Sequence, residues 1–177
     1  MMAFYNANKN AFEEIITSTQ VKNIAVSDLL TIYRNHSPKI VLTKDNKDTL
    51  TYLKKNMFKI GLVTDGRSVQ QRSKIKALGL ECFFDDIIIS EEFGSEKPNL
   101  NNFKYFTEKY GQATYLYVGD NVKKDFVAPN ALDWYSICLI DNGLNIHTQN
   151  MDIKKEQAPD FKIHALKEVL DVLKQIS

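Results

Sequence analysis

Apolar residues follow two different rhythms along this chain, and the rhythm changes near Lys59. Before that point they recur at helical spacing, as Phe12, Ile15 and Ile16 do. The pattern predicts helices over residues 4–20, 27–34 and 47–56. Between the first two, residues 21–26 have room for at most a short extended piece, so the first third of the chain is expected to be helical.

After Lys59, short apolar runs alternate with amphipathic segments. The runs predict strands over residues 60–63, 86–89, 115–118 and 134–140. The segments between and after them predict helices over residues 69–78, 100–110, 125–132 and 163–176, with a loop over 142–160. Strictly alternating strands and helices favour a mostly parallel sheet with helices on both faces, a Rossmann-like α/β fold.

Composition narrows the classes of function. A chain of 177 residues with 44% hydrophobic and 25% charged residues is typical of one globular domain. The net charge of +1 gives no electrostatic reason to expect nucleic acid as a partner. No apolar run approaches the roughly 20 residues that cross a bilayer, so we expect no membrane-spanning segment.

Cysteines and histidines are scattered in a way that argues against a zinc or disulfide framework. Cys82 and Cys138 are far apart, and we expect two free, buried thiols in a reducing cytoplasm. His36, His147 and His164 do not have metal-ligand spacing, and each is expected to be a surface or packing residue.

Polar side chains follow three of the predicted strands where each strand ends. Thr64-Asp65-Gly66 comes after the first strand, Lys97 follows the second after a short loop, and Asp120 and Asp125 follow the third. Ligands of open α/β sheets bind at this edge. A hydroxyl, free backbone N–H groups, an ammonium and two carboxylates are the groups that hold a phosphate with Mg²⁺. Taken singly, each element is also typical of a turn or a helix cap.

These residues and their surroundings resemble the haloacid dehalogenase-like hydrolases, a superfamily made mostly of phosphatases, over about residues 27–175. The similarity rests on Thr-Asp-Gly-Arg67, Lys-Ala-Leu-Gly79, Glu-Lys-Pro98 and Val-Gly-Asp-Asn-Val-Lys-Lys-Asp-Phe126. The resemblance implies a helical cap remnant over residues 1–58 and an α/β core over 59–177.

The resemblance also implies roles for the polar residues. Thr64 would bond a phosphoryl oxygen within a phosphate site formed with Asp65, Gly66 and Lys97. Lys97 would offset negative charge, and Asp120 and Asp125 would hold Mg²⁺. All of these residues position or stabilise, and none attacks phosphorus.

One part of the family pattern is missing. In such enzymes the attack comes from an Asp-x-Asp motif on the first, central strand, and this sequence has no two aspartates at positions i and i+2. Asp28 follows Ile24-Ala-Val26 but is expected to begin a cap helix. The resemblance therefore implies that the first strand is absent, and the open place would be filled by residues 21–26, by a second chain, or by direct pairing of its neighbours.

Two hypotheses of different classes follow. The first is the larger part of a Mg²⁺-dependent phosphatase of a small phosphorylated metabolite, completed by a nucleophile strand from elsewhere. The alternative is a catalytically inactive binding or scaffold module. A receiver-like sheet is a third possibility, but it is disfavoured because such a sheet would have no use for Lys97.

Sugar phosphates, nucleotides and small acid phosphates are equally compatible substrates. A further departure is Asp133, where related sequences carry Gly.

Overall fold

The computed structural model describes residues 10–21, 23–143, 145 and 149–176. Its helices, numbered in chain order, are α1 (Ala11–Thr19), α2 (Val26–Arg34), α3 (Lys44–Lys55), α4 (Ser68–Ala77), α5 (Ser90–Phe93), α6 (Asn101–Tyr110), α7 (Val127–Ala131) and α8 (Val169–Ile176). Its strands are β1 (Gly61–Thr64), β2 (Asp86–Ile89), β3 (Leu116–Gly119), β4 (Tyr135–Leu139) and β5 (Phe161–Ile163).

Side-chain caps define where the helices of the first third begin. The side chain of Asn10 accepts hydrogen bonds from the backbone at the start of α1, and the Thr43 hydroxyl does the same for α3. Asp28 accepts a hydrogen bond from the backbone N–H of Ala25 at 2.9 Å, as a residue that begins a helix does. The predicted start of the first helix, residues 4–9, lies outside the described residues.

All strand pairs in the described residues are parallel, but they form two sheets instead of one. β1 pairs with β2 in one sheet, with Thr64 opposite Ile89. β3, β4 and β5 form the other, with Gly119 opposite Cys138 and Leu139 opposite Ile163. No strand ladder joins β1 to β3 in the described part of the chain. The α/β fold class is confirmed, with a break where a central strand was expected.

One aromatic core covers the same face of both sheets. Phe103 and Phe106 of α6 pack against Val63 of β1, Ile88 of β2 and Tyr117 of β3. The opposite face of the larger sheet is covered by α8. The alternation of side chains along β3 explains this division, since neighbouring residues of a strand point to opposite faces. The two sheets are therefore held in one core by α6.

Two of the expected ways to fill the break are wrong. β1 and β3 do not pair directly, and the described residues of 21–26 contribute no strand, because Val26 already begins α2. Filling by a second chain stays a prediction. Beyond the predicted strands, β5 and the short helix α5 are present, and the closing helix begins at Val169 because residues 161–163 join the sheet.

Several smaller predictions have clear outcomes. Asp133 adopts a φ of 54°, in the left-handed region that favours glycine, which explains why Gly fits this position. Cys138 is buried, but the prediction of burial for Cys82 is wrong, since it is exposed; both thiols are free. His147 lies outside the described residues. No helix in the described ranges is long and apolar enough to cross a bilayer.

Candidate functional site

The loops that follow β1 and β3, and the loop that precedes α6, meet at the carboxyl edge of the strands. Asp65 is the residue that joins them. Its Oδ1 accepts a hydrogen bond from the backbone N–H of Lys97 at 3.1 Å, and its Oδ2 lies 2.5 Å from Nζ of Lys124. The predicted convergence of Thr64-Asp65-Gly66, Lys97 and the aspartate loop is therefore present in the structure.

Lys97 is the cation at the centre of this edge. Its Nζ lies 2.7 Å from Oδ1 of Asp125 and donates a hydrogen bond to the hydroxyl of Tyr117 at 3.1 Å. Its side chain is only 11% exposed. Burial disfavours the ammonium, but Tyr117 and Asp125 outweigh it and hold the pKa of Lys97 above its ordinary value. Lys97 therefore carries a permanent positive charge in an environment of low dielectric constant.

Asp125 shapes the turn after β3. Its Oδ2 accepts hydrogen bonds from the backbone N–H groups of Asp120 and Asn121, at 3.1 and 2.9 Å. Gly119 permits this contact, because a Cβ at that position would lie 2.5 Å from the same oxygen. The Gly-Asp pair in the sequence has a steric cause: only glycine lets the buried carboxylate of Asp125 approach the strand end.

The phosphate-binding groups predicted after β1 already have protein partners. The Thr64 hydroxyl donates to Oε1 of Gln71 at 3.1 Å, and the Gly66 N–H donates to the Ser90 hydroxyl at 2.9 Å. Both partners are neutral and half-buried. Asp65, also predicted for the phosphate site, uses its carboxylate to accept the backbone N–H of Lys97 and to pair with the ammonium of Lys124.

The described residues meet the requirements of a Mg²⁺ site only in part. Asp120 lies at the carboxyl edge, and no hydrogen bond of its carboxylate to another described residue is found. Both carboxylate oxygens of Asp125, by contrast, already have partners: Oδ2 accepts two backbone N–H groups, and Oδ1 lies 2.7 Å from Nζ of Lys97. The second contact is an ion pair that does not meet the angles of a hydrogen bond. No group of three His, Cys, Asp or Glu in the described ranges could hold a metal ion. A hard oxygen donor is present, but the ligand set is incomplete.

Four site residues escaped prediction: Tyr117, Lys124, Gln71 and Ser90. Tyr117 lies in an apolar run, and only its alternation with Val118 hints that its side chain shares a face with the site. Lys124 was within the quoted motif, yet its partner Asp65 is distant in sequence. Ser90 directly follows β2, so a search of polar residues at strand ends finds it, whereas Gln71 lies within α4, seven residues after Thr64.

Comparison with known sequences identifies the family to which the chain is similar. The sequence profile of the haloacid dehalogenase-like hydrolases matches residues 3–136. A relative from Methanocaldococcus jannaschii named glyceraldehyde 3-phosphate phosphatase is 33% identical over 146 residues, which are 80% of this chain and 61% of that protein. One of the same name from Methanopyrus kandleri is 34% identical over 148 residues, 80% of this chain and 62% of its own length. The chain thus spans about three fifths of these relatives.

Solved structures agree on the fold. A phosphatase of this superfamily from Thermococcus onnurineus has a TM-score of 0.63 at 23% identity, covering 91% of this chain and 69% of that one. The hydrolase YfnB from Bacillus subtilis, whose structure was determined with magnesium bound, has a TM-score of 0.66 at 23% identity, covering 97% and 76%. The sequence profile, the relatives and the arrangement of the strand-end residues lead to one conclusion: the chain belongs to the haloacid dehalogenase-like hydrolases.

Proposed function

We propose that this chain is the larger part of a Mg²⁺-dependent phosphomonoester hydrolase that acts on a small phosphorylated metabolite. The observation that carries the proposal is the buried Lys97 ammonium, held 2.7 Å from Asp125 and beside the loop of Thr64 and Gly66. A fixed cation next to hydroxyl and N–H donors stabilises charge that develops on a phosphoryl group.

The chain's own residues would bind and orient the phosphoryl group. The Thr64 hydroxyl would donate to a phosphoryl oxygen instead of Gln71. The Gly66 N–H would donate to a second phosphoryl oxygen instead of the Ser90 hydroxyl. Asp120 is the candidate direct metal ligand, and Asp125 keeps the Asp120 turn in shape. When bound, Mg²⁺ would supply positive charge that offsets the phosphoryl oxygens. The nucleophile would come from an Asp-x-Asp strand that the printed sequence does not contain.

The surroundings of the site and the names of the relatives support a first choice of substrates. An open depression of about 440 Å³ lies beside Gly66 and offers room for a small substrate; it is lined by Gly66, Arg67, Ser90, Glu91, Gly94, Ser95 and Glu96. Relatives named for glyceraldehyde 3-phosphate make phosphorylated short sugars the first substrates to test.

Binding and turnover test the proposal separately. Inorganic phosphate followed by ³¹P NMR should bind the wild type and bind more weakly to Thr64→Val. Mg²⁺ titrated by calorimetry should give smaller heats with Asp120→Ala than with wild type, whereas the exposed control Asp152→Ala should match wild type. Identical heats for all three proteins count against a working metal site.

Turnover by the chain alone should be low. Positioning groups without a nucleophile lose most of the rate, so the purified chain is expected to release little or no phosphate from a generic ester. Asp28→Asn should leave this low rate of phosphate release unchanged, because the Asp28 carboxylate caps α2. Robust hydrolysis abolished by that substitution would overturn the assignment.

The missing Asp-x-Asp favours a second candidate, an inactive binding module. Such a module would bind phosphate through Lys97 and Thr64 without hydrolysing any ester, even when a nucleophile strand is supplied. In-frame coding sequence upstream for an apolar strand ending in Asp-x-Asp would favour the enzyme, and unrelated sequence there would favour the module.

A further inference from the structure

The start of helix α4, directly after the Thr64 loop, holds an anion that the chain itself supplies. The first turn of α4 has no acidic residue of its own, although the free N–H groups of a helix start favour negative charge. Glu91 of α5 provides that charge. Its Oε2 accepts a hydrogen bond from the backbone N–H of Ser68 at 2.7 Å, and its Oε1 lies 2.6 Å from Nη1 of Arg67. One carboxylate therefore occupies both the helix start and the guanidinium.

Glu91 is charged at neutral pH and has a fixed position. The hydrogen bond from Arg67, followed by that from the Ser68 N–H, holds the pKa of Glu91 below its ordinary value. Glu91 also directly follows Ser90, whose hydroxyl accepts the N–H of Gly66 at 2.9 Å. The Glu91 carboxylate thus lies next to the loop that is proposed to bind the phosphoryl group.

The depression beside Gly66 is lined by more negative than positive side chains. Its lining contains the carboxylates of Glu91 and Glu96 and the guanidinium of Arg67. Arg67 is paired with Glu91, whereas the exposed Glu96 carboxylate has no ion pair with any other residue in the described part of the chain. A second anionic group entering the depression would therefore meet the charge of Glu96 and find the one lining cation already paired.

We propose that Glu91 acts as a built-in anion that reserves the depression beside Gly66 for monophosphates whose far end is uncharged, such as short phosphorylated polyols and aldehydes. Substrates with a second anionic group, a carboxylate or another phosphate, are disfavoured because their natural binding place is already filled. This inference rests on the proposed function, since it takes the phosphoryl group to lie at Thr64 and Gly66.

The substitution Glu91→Gln separates the charge of this residue from its hydrogen bond. The amide oxygen of glutamine can still accept the N–H of Ser68, so the start of α4 keeps its partner. The guanidinium of Arg67, however, loses its counter-charge and becomes available to a carboxylate of the ligand. The variant is therefore expected to favour the class of ligand that the wild type disfavours.

A matched pair of esters tests this preference with the full chain. Glycerol 3-phosphate and 3-phosphoglycerate differ in one group, a terminal hydroxymethyl in the first and a carboxylate in the second. In ³¹P NMR titrations the wild type should bind glycerol 3-phosphate about threefold more tightly, and the difference should shrink at high salt because Arg67 and Glu91 are 62% and 39% exposed. Glu91→Gln should bind 3-phosphoglycerate at least as tightly as glycerol 3-phosphate, and adding Arg67→Met should remove that gain.

The control is Glu108→Gln, which removes the same charge from an exposed position on α6 and should keep the wild-type preference. Equal affinities of the wild type for the two esters, or a preference that Glu91→Gln leaves unchanged, would overturn the role of Glu91 while the phosphate site stands. If inorganic phosphate and both esters fail to bind the wild type, the proposed function fails, and the preference inferred from it fails as well.

Discussion

The carboxylate of Asp65 lies 2.5 Å from the ammonium of Lys124, and this ion pair spans the break between two sheets that share no strand ladder in the described residues. Asp65 also holds the backbone of Lys97. The side chains are 14% and 32% exposed, so the pair is partly shielded from solvent and salt. Asp65 therefore connects both sheets to the loop of Lys97.

A double-mutant cycle measures this connection. Asp65→Asn, Lys124→Met and the double variant should show a coupling energy of about 1 kcal/mol in urea unfolding, because the partners touch and are partly buried. The same cycle on the exposed pair Lys174 and Asp171 should give no more than about 0.5 kcal/mol. Additive effects at Asp65 and Lys124 would show that the pair does not join the sheets.

The Lys97–Asp125 pair should behave as a buried unit. Lys97→Met leaves the Asp125 carboxylate, 2% exposed, without its counter-charge and should cost about 3 kcal/mol. Adding Asp125→Asn should recover part of this loss, because an amide oxygen still accepts the backbone N–H groups of Asp120 and Asn121.

A control for that experiment is Lys44→Met, which breaks an exposed pair within α3 and should change stability by less than about 0.5 kcal/mol. Chemical denaturation of the four proteins gives all the values. If Lys97→Met is as stable as Lys44→Met, the buried pair contributes nothing.

Gly119→Ala should distort the aspartate turn. The new Cβ would lie 2.5 Å from Oδ2 and 2.9 Å from Cβ of Asp125, which is only 1% exposed. Such overpacking costs about 1–3 kcal/mol. Gly111→Ala is the matched control: no atom lies within 4 Å, and only its φ of 70° opposes a side chain.

For that pair of variants, the amide signals of Asp120 and Asn121 distinguish the two effects. They should shift in Gly119→Ala and stay in place in Gly111→Ala. Unchanged signals in both would mean that Asp125 moves aside at no cost.

Asp85 should give the fold an acid-sensitive contact. It accepts a hydrogen bond from the N–H of Ile60 and binds Lys54 at 2.9 Å and Lys59 at 3.3 Å. Burial opposes its charge, but these partners outweigh burial and lower the pKa of Asp85 to about 2. Because the folded-state pKa lies below that of the unfolded chain, the stabilisation is complete above about pH 4 and is lost as pH falls toward 2.

This difference corresponds to about 2 kcal/mol at neutral pH. Asp85→Asn should therefore lower the free energy of unfolding by that order at pH 7 and flatten its fall between about pH 4 and 2. Asp152→Asn, at an exposed position, should retain the wild-type profile. Parallel pH profiles for Asp85→Asn and wild type would contradict the assignment.

Features that depend on neighbouring residues were predicted better than features that depend on contacts between distant parts of the chain. Helix α2, strand β2 and the convergence of Thr64, Lys97 and Asp120 follow from apolar periodicity and from polar residues at strand ends. β5 was missed because Phe161–Ile163 is short and one of its three residues is lysine, which weakens the apolar signal. The ion pair of Asp65 was not predicted because its partner, Lys124, lies 59 residues away in the sequence.

The break in the sheet shows the same limit more sharply. The resemblance to the family implies a missing central strand, because the given sequence has no Asp-x-Asp motif, but three ways to close the gap were equally open. The choice among them depends on contacts between distant residues, such as the packing of Phe103 and Phe106 with Val63 of β1 and Tyr117 of β3. Tertiary packing of this kind produces no periodic pattern in the amino-acid sequence.

Phosphate release from glyceraldehyde 3-phosphate in the presence of Mg²⁺ is the most direct measurement of the proposed function. It is made with the full chain and two synthetic peptides, each of four β-branched residues followed by Asp-Val-Asp or by Asn-Val-Asn. The chain with the Asp-Val-Asp peptide should release phosphate at least about 10³-fold faster than with the Asn-Val-Asn peptide, because only the former carries a nucleophile. Lys97→Met should abolish this gain. Equal rates with both peptides, or full activity of the chain alone, would contradict a phosphatase that lacks only its nucleophile strand.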